Sequence, residues 1–231
     1  MEKAFWQQRW QQGEIGFHLD RVNPNLVAYS EVLALTKGSR VLVPLCGKTL
    51  DMLWLAQRGI DVIGVEICEE AVAAFFAESG LSAQRQRVSN FTVWHGGAIR
   101  IFCGDFFELE ATDCGHFDAV YDRAALVALP PAMRQRYSQR LIEVAPCPLR
   151  CLLVTLDYPR AQMDGPPFAV TPEEVRQLFG ETVPIRLLAD EDVLPAHPHF
   201  RERGLTGLRE RVYYLGYPYS GTRSTGGAGL L

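Results

Sequence analysis

Apolar residues recur along the chain in short blocks that alternate between strand and helix spacing. An apolar, β-branched run at 41–43 predicts a strand, a tight turn follows at 44–48, and apolar positions at helical spacing then continue to Gly59. A second apolar run at 61–65 ends in Glu66. This order predicts a parallel strand–helix–strand unit with a carboxylate at the tip of its second strand.

The same alternation continues over the rest of the chain. Further helices are predicted at 69–79, at 131–144 and from 172 onward, the last with Thr171 as its N-cap. Further strands are predicted at 91–94, 99–103, 117–121, 151–155, 183–188 and 211–216. We therefore predict an α/β fold: a doubly wound, mostly parallel, Rossmann-like sheet with helices on both faces and an antiparallel edge pair.

The length of 231 residues suits one α/β domain. We predict that this domain covers residues 1–217 and that an N-terminal segment, residues 1–30, acts as a lid on it. Small and polar residues dominate at 218–231, which predicts a disordered tail.

Charge and cysteine content limit the function classes. The net charge is −4 and the pI is about 5.8, which argues against electrostatic binding of nucleic acid or of an anionic membrane. The start of the chain is too polar for a signal peptide, and no apolar run reaches membrane-spanning length. None of the six cysteines stands at zinc-site spacing, so we expect no metal, free thiols and a cytoplasmic location.

The first strand–turn–helix unit suits a nucleoside ligand. Its turn offers backbone N–H groups, and the Glu66 carboxylate can accept hydrogen bonds from ribose hydroxyls. Of the usual glycine-rich pattern only Gly47 remains, with Pro44 and Cys46 beside it, so close approach of a pyrophosphate is disfavoured. S-adenosylmethionine, an adenosine without a pyrophosphate, fits better. A purely structural turn, a nicotinamide-dependent oxidoreductase and a catalytically silent nucleoside-binding module remain alternatives.

Candidate site residues follow the ends of predicted strands. Leu45, Glu66, Asp105 and Arg123 each follow the end of an apolar run. In a doubly wound sheet the carboxyl ends of the parallel strands meet at one edge, where ligands bind. We therefore expect these four residues to surround one ligand site.

The N-terminal segment is rich in aromatic residues. Phe5, Trp6 and Trp10 fall on one face of a short helix, which glycines then break before Phe17 and His18. Such residues often only pack onto a domain. Aromatic faces also attract a sulfonium cation, which favours a lid over the ligand.

Taken together, these strings resemble the thiopurine S-methyltransferase family. The matching motifs are FWxxRWxxGxIGFH at 5–18, VPLCGK at 43–48, GVE at 64–66, FDAVYDRAALVALPP at 117–131 and GPPF at 165–168. The similarity covers nearly the whole chain to about Tyr217, and the IGFH version is similar to bacterial members.

The resemblance implies a class I S-adenosylmethionine-dependent methyltransferase that methylates a thiol. It assigns cofactor contacts to Trp6, Trp10, Leu45, Glu66, Asp105, Phe106 and Arg123. It assigns substrate contacts to Phe17 and Arg123. His18 and Phe168 are further substrate candidates: His18 can titrate near neutral pH, with a structural, hydrogen-bonded role beside Asp20 as the alternative, and Phe168 follows a rigid turn that can form a pocket wall. Arg123 is the catalytic candidate, since its permanent charge can stabilise a thiolate or a ring nitrogen. A structural ion pair with Asp122 is the alternative for Arg123.

The natural acceptor is left open by the sequence. The resemblance implies a monomer that acts on a small-molecule thiol, or on selenium or tellurium compounds as in metalloid resistance, without nucleic acid or membrane. Asp122 either orients Arg123 or lies near the substrate. Solvated positions are expected for Lys48 and for the basic loop at 197–203, because such side chains usually face water. The alternatives are a contact of Lys48 with the cofactor carboxylate and a place for the loop at the edge of the substrate slot.

Overall fold

The computed structural model describes residues 3–16 and 18–217. Within these residues nine strands form one sheet: β1 (Arg40–Pro44), β2 (Asp61–Glu66), β3 (Gln84–Val88), β4 (Phe91–Gly96), β5 (Ile99–Cys103), β6 (Ala119–Arg123), β7 (Arg150–Asp157), β8 (Ile185–Asp192) and β9 (Arg209–Gly216). The strand order is β3-β4-β5-β2-β1-β6-β7-β9-β8.

The α-helices of the described chain are α1 (Lys3–Gln11), α2 (Pro24–Tyr29), α3 (Asp51–Gln57), α4 (Glu69–Ser79), α5 (Ala111–Cys114), α6 (Pro131–Val144), α7 (Pro172–Phe179) and α8 (Pro198–Glu202). The predicted helix ends are confirmed where a capping residue marks them. Gly80 ends α4 with a φ of 71°, and the Thr171 side chain accepts a hydrogen bond from the backbone N–H of Glu174 at the start of α7.

The centre of the sheet is parallel, as predicted. Strands β5, β2, β1, β6 and β7 run side by side in the same direction. The predicted antiparallel edge pair is confirmed as β9 and β8 beside β7. The fold is therefore the doubly wound α/β arrangement that the pattern indicates.

The opposite edge carries a second antiparallel pair, β4 and β3, beside β5. Strand β3 was not predicted from the sequence. Its residues, Gln84 to Val88, are QRQRV and are mostly exposed, so no alternation of apolar and polar positions marks it. Edge strands with charged side chains are common because they discourage pairing with another chain.

The strands contribute apolar side chains to both faces of the sheet. Leu42 packs into the core on one face, whereas Val41 and Val43 pack into the core on the other. Helices cover the apolar side chains on both faces. This two-sided burial explains why the central strands read as continuous apolar runs rather than as alternating ones.

Gly64 in β2 lets the β1 turn and α3 pack directly onto the sheet. A Cβ atom at this position would lie 2.8 Å from Sγ of Cys46 and 3.3 Å from Sδ of Met52. A larger side chain would push the turn away from the end of β2. Gly64 therefore keeps the turn close to Glu66.

A buried carboxylate ties the N-terminal segment to the sheet. Oδ1 of Asp51 accepts a hydrogen bond of 2.7 Å from the backbone N–H of Asn23, and Oδ2 accepts one of 2.9 Å from the hydroxyl of Tyr121. Asn23 in turn caps α2 through a bond from the N–H of Asn25. These contacts anchor residues 23–25, within the predicted lid segment 1–30, to the sheet.

Candidate active site

A cavity of about 530 Å³ lies at the carboxyl ends of β1, β2 and β6. Parts of the N-terminal segment, the β1 turn, the ends of β2 and β6, and the loop before β9 all line it. Its size falls within the usual range of small-molecule sites. The structure thus brings Leu45, Glu66 and Arg123 to one cavity, at the edge where the sequence places the ligand.

Glu66 is buried and holds two loops together. Its Oε2 accepts a hydrogen bond of 2.8 Å from the N–H of Gly47, and its Oε1 accepts one of 2.9 Å from the N–H of Cys68. Burial raises the pKa of this carboxyl, while these backbone bonds act in the opposite direction. Since each oxygen can accept a further hydrogen bond, the carboxylate can bind a hydroxyl group in the cavity.

The β1 turn has an unusual backbone at the cavity wall. Leu45 has a φ of 48° and Gly47 a φ of 52°, both in the left-handed region. A left-handed conformation is strained for leucine and free of strain for glycine. Trp10 of α1 packs directly on Gly47, with 3.3 Å between its Cζ2 and the position of a Cβ atom.

Arg123 lies at the end of β6 and lines the cavity. The next residue, Ala124, has a φ of 69°, a second strained position at the cavity. Strained backbone of this kind concentrates at functional sites, where the surrounding structure holds it in place.

Asp122 lies on the opposite side of the strand from Arg123. It is fully buried, accepts a hydrogen bond of 2.6 Å from the hydroxyl of Tyr137, and accepts another from the N–H of Leu126. Burial raises its pKa to about 6. Asp122 is absent from the cavity lining among the described residues, and its bonds give it a structural role at the loop after β6.

His18 lines the cavity beside two cationic side chains. Its pKa is lowered by partial burial first and then by the positive charges of Lys48 and Arg123, against the opposite effects of Glu78 and Asp20. A lowered pKa keeps the imidazole neutral near pH 7.

Lys48 is not solvated, contrary to expectation. Its side chain is 13% exposed, lines the cavity, and forms an ion pair of 2.6 Å with Glu78 of α4. This contact joins the β1 turn to α4 below the N-terminal segment. Sequence reasoning missed it because the partner lies thirty residues further on, with no periodic signal linking the two positions.

A smaller cavity of about 110 Å³ adjoins the first, sharing Trp6, Leu45 and Ile67 with it. Asp105 and Phe106 line this smaller cavity. Asp105 caps the short 3₁₀ helix Phe106–Glu108 by accepting a hydrogen bond from the N–H of Phe107. The remaining walls are largely apolar and aromatic, so the cavity can hold a flat ring.

The basic loop before β9 also faces the larger cavity. His197, His199, Phe200 and Arg203 line it, although we expected this loop to be solvated. Partial burial lowers the pKa of His197, and the charges of His199, Arg21 and Arg123 lower it further. The clustering of four basic residues at 197–203 was a usable signal in the sequence. The tertiary contacts that bring this segment close to Arg123 could not be predicted from the sequence.

The GPPF string reaches the cavity through its prolines. Pro166 and Pro167 line the wall, and the described lining residues do not include Phe168. The ring of Phe168 packs instead on Gly165, where a Cβ atom would lie 2.5 Å from its Cδ1. Of the other predicted contacts, Trp6, Trp10 and His18 lie at the cavity, and Phe17 lies outside the described residues.

Comparison with known proteins decides the family. The family model of thiopurine S-methyltransferase (TPMT) matches residues 1–217. This chain belongs to the thiopurine S-methyltransferase family. A curated thiopurine S-methyltransferase of Azotobacter vinelandii is 50% identical over 215 residues, covering 93% of this chain and 99% of the relative. One of Nitrosospira multiformis is 47% identical over 215 residues, covering 93% and 98%.

A solved structure shares the fold at low sequence identity. The 1,6-didemethyltoxoflavin-N1-methyltransferase of Burkholderia thailandensis, with bound 1,6-didemethyltoxoflavin and S-adenosylhomocysteine, superposes with a TM-score of 0.61 at 16% identity. The match covers 93% of this chain and 87% of that protein. The predicted methyltransferase fold is therefore confirmed.

Membership of the thiopurine S-methyltransferase family makes this chain a methyltransferase with S-adenosylmethionine as its cofactor. The residues present fit that cofactor. A buried carboxylate for hydroxyl groups, aromatic side chains for a sulfonium and an apolar slot for a flat ring all adjoin one another. All six cysteines lie in the described part of the chain and are free thiols, and no described helix is long and apolar enough to cross a membrane.

Proposed function

We propose that this protein transfers the methyl group of S-adenosylmethionine to the sulfur of aromatic and heterocyclic thiols, thiopurines among them. One observation carries the proposal: a single cavity joins Glu66 and the aromatic residues of α1 on one side to Arg123 on the other. A nucleoside-binding group and a permanent cation thus face the same enclosed space.

Each part of the cofactor has candidate partners. Glu66 binds the ribose hydroxyls through oxygens that Gly47 and Cys68 already orient. Trp6 and Trp10 cover the cofactor from α1, and Leu45 contacts it from the turn. The smaller cavity beside Asp105 and Phe106 accommodates the adenine. The shared wall at Trp6 and Leu45 supports this division, because it places the two cavities side by side.

The reaction depends mainly on positioning. When bound, S-adenosylmethionine supplies a methyl group on a positively charged sulfur, which a thiolate can displace in line. The residues of the cavity exclude water and hold the acceptor, and both effects favour displacement. Arg123 stabilises the negative charge of the acceptor sulfur or of a neighbouring ring nitrogen. No metal takes part in this proposal.

The test follows methyl transfer from labelled S-adenosylmethionine to 6-mercaptopurine and to a panel of thiols. Glu66→Ala should weaken cofactor binding, and Arg123→Ala should lower turnover with little change in cofactor affinity. Glu143→Ala and Arg140→Ala are matched controls, because these residues form an exposed ion pair with each other on α6. Cofactor binding without turnover on any acceptor would contradict the proposal and favour a silent nucleoside-binding module.

The acceptor range is part of the proposal. A soft nucleophile is required, so we include selenium and tellurium compounds, as in metalloid resistance. Turnover of thiols but not of selenols or tellurium compounds in the same panel would remove that extension. A nicotinamide-dependent oxidoreductase is disfavoured, because the turn at Pro44 and Cys46 lacks the glycines that admit a pyrophosphate.

We further propose that the protein acts as a cytoplasmic monomer. Free thiols at all six cysteines support a reducing compartment. Light scattering during size exclusion, at the concentration used for the assay, would show a dimer if the monomer proposal is wrong.

A further inference from the structure

Three carboxylates line the larger cavity within the described chain: Glu14, Glu66 and Glu210. Glu66 is committed to the loops after β1 and β2 by the hydrogen bonds from Gly47 and Cys68. Glu14 is mostly exposed and forms an ion pair with Arg9 in the N-terminal segment. Glu210 is less exposed than Glu14, and it lies outside the proposed cofactor site.

Glu210 lies on the acceptor side of the cavity. It belongs to β9 and pairs across the sheet with Leu156 of β7, which also lines the cavity. Asn25 of α2 donates a hydrogen bond of 2.6 Å from Nδ2 to Oε1 of Glu210. This bond holds the carboxylate in place and leaves its lone pairs on Oε2 as acceptors for a ligand.

The surroundings of Glu210 suit a proton acceptor. Burial raises the pKa of Glu210, and the negative charge of Glu191 acts in the same direction. The positive charge of Arg123 and the hydrogen bond from Asn25 lower the pKa, but burial is the largest effect and the pKa is raised. A carboxylate with a raised pKa is a stronger base than an exposed one. The nearby charge of Arg123 meanwhile favours an acceptor that becomes an anion.

Other side chains of the cavity are less suited to this role. Arg123 is always protonated and cannot accept a proton. His18 has a lowered pKa, which makes it a weaker base, and it lies in the N-terminal segment beside Lys48. The binding experiment below therefore includes His18→Asn, which tests His18 as the proton acceptor.

We propose that Glu210 is a catalytic base that selects heterocyclic thiones carrying an N–H group. This inference rests on the proposed methylation of thiols. The neutral form of such an acceptor holds its proton on a ring nitrogen next to the C=S bond. When the acceptor binds, this proton passes to Oε2 of Glu210, the N–H electron pair forms the aromatic C=N bond, and the C=S electron pair moves to sulfur, which leaves a thiolate. The thiolate forms the new S–CH₃ bond as the methyl–sulfonium bond breaks, and Glu210 releases the proton to water when the product leaves.

The experiment compares two acceptors in Glu210→Gln. The glutamine keeps the shape and can still accept the bond from Asn25, so the fold is retained. The acceptor 6-mercaptopurine carries an N–H proton, whereas 4-nitrothiophenol is already a thiolate near neutral pH. We expect kcat/KM to fall about 100-fold for 6-mercaptopurine, in the range of general-base catalysis, and to change less than about twofold for 4-nitrothiophenol. Glu143→Gln, on α6 in an exposed ion pair with Arg140 and outside the cavity lining, is the matched control and should leave kcat/KM unchanged for both acceptors.

A binding spectrum gives a readout that does not depend on turnover. Bound 6-mercaptopurine is followed by its ultraviolet absorbance with the protein saturated in S-adenosylhomocysteine. We expect the anion spectrum with the unmodified protein and with His18→Asn, and the neutral spectrum with Glu210→Gln. An anion spectrum retained in Glu210→Gln, an equal loss of turnover for both acceptors, or an anion lost only in His18→Asn would overturn the inference. Absence of 4-nitrothiophenol turnover in the unmodified protein would instead contradict the proposed function, and the spectrum would still decide the role of Glu210.

Discussion

Trp10 packs on Gly47, with only 3.3 Å between Cζ2 of the indole and the place that a Cβ atom on Gly47 would occupy. Gly47 also donates its N–H to Glu66. The position of α1 over the cavity and the orientation of the proposed ribose-binding carboxylate are therefore linked through one glycine.

Gly47→Ala should weaken S-adenosylmethionine binding about tenfold, because the new methyl group displaces Trp10 by a few tenths of an ångström. The left-handed φ of 52° adds strain of about 1 kcal/mol in the folded state. Calorimetric titration gives the affinity, and urea unfolding gives the stability.

Gly38→Ala separates the two effects of that substitution. Gly38 has a φ of 85°, and a Cβ atom there would meet nothing within 4 Å. Stability should fall by a similar amount, of order 1 kcal/mol, with cofactor affinity unchanged. If both variants lost affinity equally, backbone strain rather than the contact with Trp10 would be responsible.

Two buried tyrosine hydroxyls should differ in their effect on stability. The hydroxyl of Tyr121 donates to Asp51, which also holds the N–H of Asn23. Tyr121→Phe leaves one carboxylate oxygen without that donor and should lower the unfolding free energy by about 1.5–3 kcal/mol. The hydroxyl of Tyr213 is buried without a hydrogen-bond partner in the described structure, so Tyr213→Phe should be neutral or stabilising. Thermal unfolding of both variants checks the contrast, and equal losses would contradict it.

The sequence predicts the helices and strands well where the spacing of apolar residues and the capping residues indicate the same element. The strand ends at Leu45, Glu66 and Arg123 meet at one cavity because the parallel strands share a direction, which the apolar runs already indicate. The structural role of Asp122 could also have been predicted from the geometry of a strand. Neighbouring residues on a strand point to opposite faces, so Asp122 and Arg123 could not both enter one cavity directly from β6.

Other features depend on tertiary contacts that leave no local signal. His199 reaches the cavity from α8, and Glu210 reaches it from β9, the strand that runs antiparallel to β7. The left-handed backbone at Leu45 and Ala124 could not be predicted either, because neither residue type favours that region. Phe168 shows the reverse case, since an aromatic residue next to two cavity prolines turns its ring onto Gly165.

The buried carboxyl of Asp122 should make stability depend on pH. Its pKa is raised by burial from 3.8 to about 6, so the folded protein keeps a proton that the unfolded chain has already released. The stability contributed by this group is complete below about pH 4 and is lost as pH rises through about 6, a change of order 3 kcal/mol. The unfolding free energy relative to Asp122→Asn, measured in urea at several pH values, should fall across this window.

Tyr137→Phe is the companion variant for that measurement. The hydroxyl of Tyr137 donates to Oδ2 of Asp122 and lowers the pKa of the carboxyl against the effect of burial. Without it the pKa should rise further, so the decline in stability should still begin near pH 4 and extend to higher pH. A difference between the protein and Asp122→Asn that stays constant from about pH 4 to 7 would contradict the assignment.

Arg123→Lys separates the charge of the guanidinium from its shape. Lysine keeps a positive charge at the end of β6 but lacks the planar fork that binds two acceptor atoms at once. If Arg123 stabilises a sulfur and an adjacent ring nitrogen together, kcat/KM should fall about tenfold for 6-mercaptopurine but only about twofold for a simple thiophenol with one acceptor atom, a difference of about 1 kcal/mol.

Arg123→Met should lower kcat/KM strongly for both acceptors, because no charge remains. A lysine variant that loses the same factor on both acceptors would show that Arg123 acts as a charge alone, and full activity in Arg123→Met would remove Arg123 from the chemistry.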